Sequence, residues 1–430
     1  VIGIVVSTAD DASAHVAEHL FDLADWEERE PGVYRTDGFE LREFEDFHLH
    51  LDRVAEAFDD PDCVVFASRH SGETGRLLSA HYTGNFGQAE YGGANRDLST
   101  PCPGTHRQAV RSLAANAPDG WDVAMECTHH GPTDIGAPAM YVELGSDEAG
   151  WQDPEGAAAV ARSILSLDTD GSEPDRTVVG FGGSHYAPRP TRLLLETDVA
   201  VGHVAADWSL DELGAPDENR DLIERMFAES GASMAVFDGD YPEVESVVED
   251  LGYRVVSERW LRETTGIPGD LVDAVERRLD DVASGLRFGA RRTDPSAVVV
   301  RSLPDDLLGE CETIDAERTR EIVEAWTVAY ETAENGNRIE GSAAFVAQRD
   351  REHLVDDLIE VLQTEYDAVK REESVVVAER TAFDPEAAQA AGVPEGPKFG
   401  QLAAGQPVEV DGERISPERV QTRETRRFTV

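Results

Sequence analysis

The chain has 430 residues, 87 of them Asp or Glu and 38 Lys or Arg, for a net charge of −49. Such a surface repels itself at low salt and is screened in molar salt, where the Debye length is about 3 Å, so the charge reads as adaptation to a salty cytosol; no DNA partner is expected of it. Four cysteines (63, 102, 127 and 311) show no paired spacing, no apolar run approaches the length of a membrane span, and no charged-then-apolar leader opens the sequence, so a cytoplasmic, soluble protein with neither a disulfide framework nor a membrane partner is expected.

Residues 1–8, VIGIVVST, are a short β-branched apolar run, followed by a polar turn and helical apolar spacing over 12–23. Further strands are predicted at 63–68, 122–128, 139–145, 176–183, 192–201, 233–239 and 253–258, and helices at 103–117, 218–230, 241–251 and 270–284. Asp153 before Pro154 is an N-cap with proline at the first helical position, which predicts a helix to about 167. This alternation predicts an α/β fold with a mixed, largely parallel sheet flanked by helices. Near 290 the character changes: two long helical patterns, 315–334 and 349–373, precede a Pro- and Gly-rich stretch at 383–412. The expected domains are therefore 1–290, catalytic, and 291–430, an α-rich C-terminal extension.

Possible ligands and acid–base groups fall at predicted strand ends. SRHSGETG supplies Arg69 and His70, and HYTGNFG supplies His81 and Asn85. ECTHHGP supplies Glu126, Cys127, His129 and His130, and Glu143 follows in YVELG. GFGGSHYAP supplies Gly182, Gly183 and His185, and VGH supplies His203. Ligands of open α/β sheets bind at such ends, and a metal site needs three or four converging His, Cys, Asp or Glu groups. Singly, each residue has a plainer reading: a hydrogen-bonding histidine, a buried Cys127, an ion-paired Glu143, a tight glycine turn. Alternation along a strand predicts that His129 and His130 point in different directions. No dinucleotide fingerprint, P-loop or G-x-S-x-G elbow is present. Two segments stand out as positive: 66–112, with five Arg against three acids, and 414–427, with five Arg against two. Phosphate contact is expected of them, with local ion pairing as the alternative.

The blocks SRHSGETG, HYTGNFG, ECTHHGP, VELGSDEAGW and GFGGSHYAP, in this order over residues 1 to about 270, together resemble the archaeal and plant type of D-aminoacyl-tRNA deacylase, here in a haloarchaeal form. The resemblance implies hydrolysis of the ester between a D-amino acid and the terminal adenosine of tRNA, as chiral proofreading, and clearance of aldehyde-modified D-aminoacyl-tRNAs. It also implies two zinc ions per subunit and a phosphorylase/peptidyl-tRNA hydrolase-like fold. It does not apportion the zinc ligands among His70, His81, Glu126, His129, His130, Glu143 and His185. The working assignment is His70, His81, His129 and Glu143 on metal, with Glu126, His130 and His185 catalytic. His130 or Glu126 would take a proton, His185 would protonate the leaving 3′-oxygen, and a second metal or N–H groups of the 180–184 turn would hold the oxyanion. Arg69, Asn85, Gly182 and Gly183 are expected to bind the acceptor end of the substrate. Residues 393–412 contain GPKFGQL, similar to a Gly-Pro-x-x-Gly-x-Leu signature near a substrate loop of ribonuclease Z enzymes, which extends the expected tRNA contact to the C-terminal region. A monomer is favoured. The alternatives are a metal-dependent amide or ester hydrolase of small substrates, a nucleoside phosphorylase-like enzyme, a non-catalytic RNA-binding protein, and metal-free hydrolysis assisted by the substrate's own 2′-hydroxyl.

Overall fold

The opening apolar run forms β1 (Ile2–Ser7), buried along its length. The helical spacing after it forms α1 (Asp11–Leu23), capped by Asp10, whose carboxylate accepts from the N–H groups of Ala12 and Ser13. The computed structural model describes residues 1–168 and 174–430 and divides into two units, Val1–Gly266 and Ile267–Val430.

In the first unit, β2 (Glu27–Glu30), β3 (Val33–Thr36), β4 (Phe39–Phe44), β5 (Cys63–Arg69) and β6 (Leu77–His81) are followed by the short pair β7 (Gly84–Asn85) and β8 (Asp97–Leu98). Then come α2 (Pro103–Asn116), β9 (Asp122–Met125), β10 (Ala139–Gly145), α3 (Glu148–Trp151) and α4 (Pro154–Leu165). The large sheet has the order β2-β3-β4-β1-β5-β10-β6-β9. Strand β1 lies parallel to β4 and β5, and β5 parallel to β10, whereas β6 is antiparallel to β10. Asp153 caps α4 as its dipeptide predicts, accepting from the N–H groups of Glu155 and Gly156. A second sheet contains β11 (Thr177–Gly182), β12 (Ala200–Ala205), β13 (Met234–Asp238) and β14 (Arg254–Val255) in the parallel order β12-β11-β13-β14. Its connections carry α5 (Pro188–Glu196), α6 (Asp207–Leu213), α7 (Arg220–Ser230) and α8 (Pro242–Asp250), and α9 (Glu258–Glu263) follows. The result is mixed α/β, with a large, mostly parallel sheet flanked by helices.

One strand prediction in this unit fails. Residues 192–196 are helical, within α5, and the strand begins only at Ala200. The Leu run looks like a buried strand, but Pro188 and Pro190 sit in a first turn that tolerates them, and Pro190, Thr191, Leu193 and Leu194 are buried at helical spacing.

The second unit is not α-rich. Helices α10 (Gly269–Glu276), α11 (Asp305–Ile314), α12 (Ala316–Trp326), α13 (Gln348–Leu362), α14 (Pro385–Ala390) and α15 (Pro397–Ala403) share it with antiparallel sheets. These hold β15 (Arg287–Phe288), β16 (Val299–Ser302), β17 (Ala329–Ala333) and β18 (Arg338–Phe345) in the order β15-β17-β18-β16. They also hold β19 (Ala368–Glu372), β20 (Val375–Phe383) and β23 (Gln421–Thr429) in one sheet, and the pair β21 (Val408–Val410) and β22 (Glu413–Ile415). Both long helical patterns overran. Helix α12 stops at Trp326 before β17, and α13 stops at Leu362 before β19. The helical pattern runs on through both strands, but antiparallel pairing with β18 and β20 overrides it. The division between units also falls before 290, because α10 packs on residues 295–297 of the second unit. GPKFGQL opens α15, whose Leu402 joins Val408, Ile415 and Val420 in a small core. Among the described residues, no helix is long and apolar enough to cross a membrane.

Candidate active site

Pleating places alternate residues on one face. In β5 that face carries Phe66 and Ser68, and His70 follows two residues on. Register sets Tyr141 between Phe66 and His81, and Glu143 between Ser68 and Ser79. Two adjacent rungs thus build a polar patch on an aromatic floor: Tyr141 stacks on Phe66 at 4.5 Å and on His81 at 5.0 Å. Strand β9 ends at Met125, and the next residues turn across the sheet end: Cys127 N–H donates to His185 O and Thr128 N–H to Val204 O. His130 is left-handed, with φ +42°. Strand alternation therefore does not govern this segment, and the expectation that His129 and His130 point apart is overturned: their rings lie 4.4 Å apart on the same side. His185 enters from the turn after β11, where Gly182 (φ +86°) is required because a Cβ there would meet the Tyr241 ring at 2.3 Å.

Two carboxylates organise the cluster. Glu126, fully buried, places Oε2 2.7 Å from His185 Nε2 and 3.9 Å from His129 Nε2. Its Oε1 lies 3.0 Å from His70 Nδ1, but without hydrogen-bond alignment, so this oxygen stays unpartnered. Glu143 Oε1 accepts from Ser68 Oγ at 2.7 Å and lies 3.5 Å from His81 Nε2, while Oε2 lies 3.5 Å from His70 Nδ1. The Tyr186 hydroxyl stands 3.3 Å from His70 Nε2.

Three histidines share a second feature. Nδ1 of His81, His129 and His130 meets the carbonyl oxygens of Tyr82, Cys127 and Gly131 at 3.0, 2.8 and 2.8 Å. A carbonyl only accepts, so Nδ1 carries the hydrogen; in His129 and His130 this leaves the Nε2 lone pair free, the tautomer of a metal-binding imidazole, whereas Glu143, 3.5 Å from His81 Nε2, outweighs burial and raises His81 above its ordinary value. His81 Nε2 is buried without a hydrogen bond. Donor atoms within 4.8 Å of one another form three sets: His81, His129 and His130; Cys127, His129 and His185; and His70, Glu126 and Glu143. Orphaned buried donors are costly unless something binds them. Imidazole, carboxylate and thiol groups in such sets fit a metal ion.

The electrostatics agree with a tightly paired cluster. Burial opposes the His70 charge, but Glu126 and Glu143 overcome it and push His70 up to about 11. Burial works against Glu126 too, yet His185 and His70 hold it well below the carboxylate range, and His81 does the same for Glu143. His130 is pushed down to about 4 by burial and by His81, and His129 is lowered for the same reasons, so both imidazoles are neutral lone-pair donors near pH 7.

The cluster gathers all seven residues expected on metal or in catalysis: His70, His81, Glu126, His129, His130, Glu143 and His185. It does not separate ligands from acid–base groups, because members of both expected classes share the same sets. Two cavities meet at Tyr91, His129 and His130, one of about 450 Å³ and one of about 300 Å³. Arg69 lines the larger, its guanidinium 4.7 Å over Phe47 and 5.0 Å over Trp151. Asn85 lines the smaller. Gly182 and Gly183 line neither; they turn the chain against Tyr241 and Asp238. His203 takes the plainer reading, within reach of the Thr128 hydroxyl at 3.0 Å and donating to Ser99 O at 2.9 Å. His106 is buried in α2.

Apart from Arg69, the first positive segment is used internally. Arg76 pairs with Asp153, Arg96 donates to Asn219, and Arg107 and Arg111 donate to backbone carbonyls. In the second, Arg419 pairs with Glu413, Arg423 with Glu379 and Arg426 with Glu310, so local ion pairing is the main outcome. Sequence reasoning noted Tyr91 only as an aromatic of the positive segment and missed Trp208; the two line the smaller cavity, 66% and 38% exposed. Exposure is their signal, and sequence does not carry it.

Residues 57–256 match the sequence model of the D-aminoacyl-tRNA deacylase family. Proteins named D-aminoacyl-tRNA deacylase from Halobacterium salinarum and Halorubrum lacusprofundi are 51% and 49% identical over all of this chain and 95% and 97% of their own lengths. One from Methanococcoides burtonii is 33% identical over 98% of this chain and 95% of its own. A crystal structure of a conserved protein of unknown function superposes with a TM-score of 0.57 at 28% identity, covering 61% of this chain and 97% of that one.

Proposed function

The chain belongs to the D-aminoacyl-tRNA deacylase family, and from that premise we propose that the cluster at the end of the large sheet is where it hydrolyses the ester bond of D-aminoacyl-tRNA, releasing the D-amino acid and tRNA. The activity rests on one observation above others: about half of all positions agree with named deacylases along the whole chain. Seven converging ionisable side chains support the placement.

The donor sets suit two Zn²⁺ ions, one on His81, His129 and His130, the other on His70, Glu126 and Glu143 with His185 or Cys127 adjoining. When bound, zinc polarises a carbonyl and acidifies water. The chain's own groups do the rest. Glu126 orients His185 through the 2.7 Å contact. His185, 31% exposed at the cavity wall, is the group placed to exchange a proton with the 3′-oxygen of the leaving ribose. The Tyr141 and Phe66 rings floor the cluster and exclude water beneath it. Arg69, its guanidinium over the rings of Phe47 and Trp151, presents a positioned fork to the phosphate of the terminal nucleotide. No N–H group of the 180–184 turn is needed as oxyanion donor, since its glycines line neither cavity.

The same reading places the protein in the cytoplasm, gives catalysis to the first unit and tRNA contact to the second, and likens the parallel sheet to phosphorylases and peptidyl-tRNA hydrolases. Release of amino acid from D-Tyr-tRNA and L-Tyr-tRNA in molar KCl, with and without a chelator, tests it. D-specific release, lost on chelation and restored by zinc, is expected. Release indifferent to chelation would make the cluster a substrate-binding element, and no release would remove the deacylase reading.

A further inference from the structure

Of the chain's 15 Phe, 9 Tyr and 6 Trp side chains, only Tyr91 and Trp208 are exposed; the others are buried or half-buried. Both line the smaller cavity, and Tyr91 also lines the larger, so it stands where the two meet beside His129 and His130. Single exposed apolar residues are ordinary when scattered. Two aromatic rings brought from separate elements to one cavity mark a binding surface.

The backbone around Tyr91 is the independent observation, because it is fixed. Gly131 N–H donates to Tyr91 O at 2.9 Å, and Ala94 N–H donates to Thr133 Oγ1 at 3.0 Å. Asn85 Nδ2 donates to Gly92 O at 3.0 Å and to Ala94 O at 3.1 Å. Gly92 is left-handed, with φ +81°, and a Cβ there would meet the Leu49 carbonyl oxygen at 2.1 Å. The side chain these bonds present is idle: no hydrogen bond, ion pair or ring contact engages Tyr91 beyond its backbone among the described residues. A ring held out on a fixed loop loses little freedom when a ligand covers it. Trp208, on α6, lies 6.4 Å from the His185 ring at 27°, so its face is set by the cluster itself.

The lining decides what covers the rings. It contains no Arg or Lys and includes Glu90 and Glu212, so a phosphodiester is repelled. Aromatic faces stack on flat, uncharged rings, and every nucleobase offers one. An aminoacyl-tRNA carries such a ring at a constant place, the base of its 3′-terminal adenosine, whereas the amino-acid side chain varies. We propose that Tyr91 and Trp208 are the stacking platform for that terminal adenine. The proposal rests on the deacylase reading and gives the substrate a direction. The base enters the smaller cavity, the phosphate of the same nucleotide lies toward Arg69, and the ester falls at the histidine cluster between them. Nothing in this arrangement calls on the α-amine, so free and modified amines fit alike.

The test uses D-Ala-tRNA, whose acyl group carries no ring. Y91L/W208L is expected to raise KM about tenfold or more and to hold kcat within about twofold. Tyr91→Leu alone should give part of that rise, and Tyr91→Phe, which keeps the ring, should return KM to the wild-type value. A KM that these Leu variants leave in place overturns the platform. So does a loss confined to D-Tyr-tRNA, which would give the rings to the amino-acid side chain. A second measurement needs no turnover: calorimetric binding of 3′-amide-linked D-alanyl-adenosine and of the same compound without its base. Wild type is expected to bind the adenosine compound about tenfold tighter, and Y91L/W208L to bind both alike. That pattern supports the platform even if wild type hydrolyses no D-aminoacyl-tRNA, an outcome that sinks the deacylase reading alone. Hydrolysis of D-Ala-tRNA with no preference for the base in binding sinks the platform and leaves the deacylase standing.

Discussion

The two units handle charge in opposite ways. The first brings seven ionisable side chains together at one sheet end and leaves His81 Nε2 and Glu126 Oε1 buried without a hydrogen bond. The second spends its arginines on neighbouring carboxylates at the surface, as in Arg380–Glu424, Arg338–Glu340 and Arg371–Asp356. Surface pairs of this kind contribute about 0–1 kcal/mol each, whereas an unsatisfied buried polar group costs about 1–3 kcal/mol and survives only where something offsets it. Net charge along the sequence is therefore the poorer guide. The 414–427 segment is the more positive of the two islands, and its arginines are mostly paired. The 66–112 segment is less positive, and one of its arginines, Arg69, lines the larger cavity beside the histidine cluster.

The largest test of this contrast is Glu126→Gln. The side chain joins both halves of the cluster, through His70 and through His185. Losing the charge should reduce kcat/KM for D-Tyr-tRNA by about a thousandfold or more and lower the zinc retained after dialysis, with circular dichroism unchanged. Wild-type turnover in a folded Glu126→Gln protein would falsify the assigned centre. Metal removal should follow in size. A ligand at a hundredfold excess over its Kd stabilises the folded state by about 2.7 kcal/mol. Chelation in molar KCl should therefore lower Tm, and zinc should restore it. A Tm indifferent to both would mean that the orphaned donors serve something other than a metal.

A paired comparison sharpens the contrast between the units. Arg69→Ala should raise KM for tRNA about tenfold, because a positioned guanidinium is lost from the cavity. Arg423→Ala, which removes an exposed partner of Glu379, should stay within about twofold of wild type. The reverse order of effects would move the phosphate grip to the second unit and leave Arg69 a packing residue.

What the sequence carried was local. The Asp153-Pro154 cap, the buried run of β1 and the histidine blocks need no distant partner to be read, and each stands where its pattern predicts. The cluster's membership was legible because His and Glu sat at strand ends; its internal division was not, since carbonyl partners decide tautomers and those partners come from the fold. The same limit explains the failures. The Leu run of α5 taken alone reads as a strand, and only the prolines ahead of it mark a helix start. Strands β17 and β19 continue the helical pattern that precedes them and become strands against β18 and β20. Trp208 and Glu212 have no motif, and they reach the cavity because α6 follows β12.

The smallest effect at neutral pH concerns a histidine outside the cluster. His106 is fully buried in α2, its ring 4.5 Å from that of Tyr82, with neither nitrogen hydrogen-bonded. Burial first, with some help from His81, pushes it down to about 3. An unfolded histidine titrates near 6.5. Above that pH both states are neutral and His106 adds no pH dependence. Below it the unfolded chain takes up a proton that the folded chain refuses, so stability falls as the pH drops from about 6.5 toward 3, at up to about 1.4 kcal/mol per unit for this one group. His106→Leu removes two unpartnered polar atoms at similar volume. At pH 7.5 it should leave turnover unchanged and stability equal to wild type or about 1 kcal/mol higher. At pH 5 the advantage should grow by about 2 kcal/mol, read from urea unfolding in molar KCl. If wild type and variant lose the same stability between pH 7.5 and pH 5, His106 takes a proton in the folded state. It would then share the polar work of the cluster whose His81 lies nearby, and the line drawn here between histidines that act and histidines that pack would move.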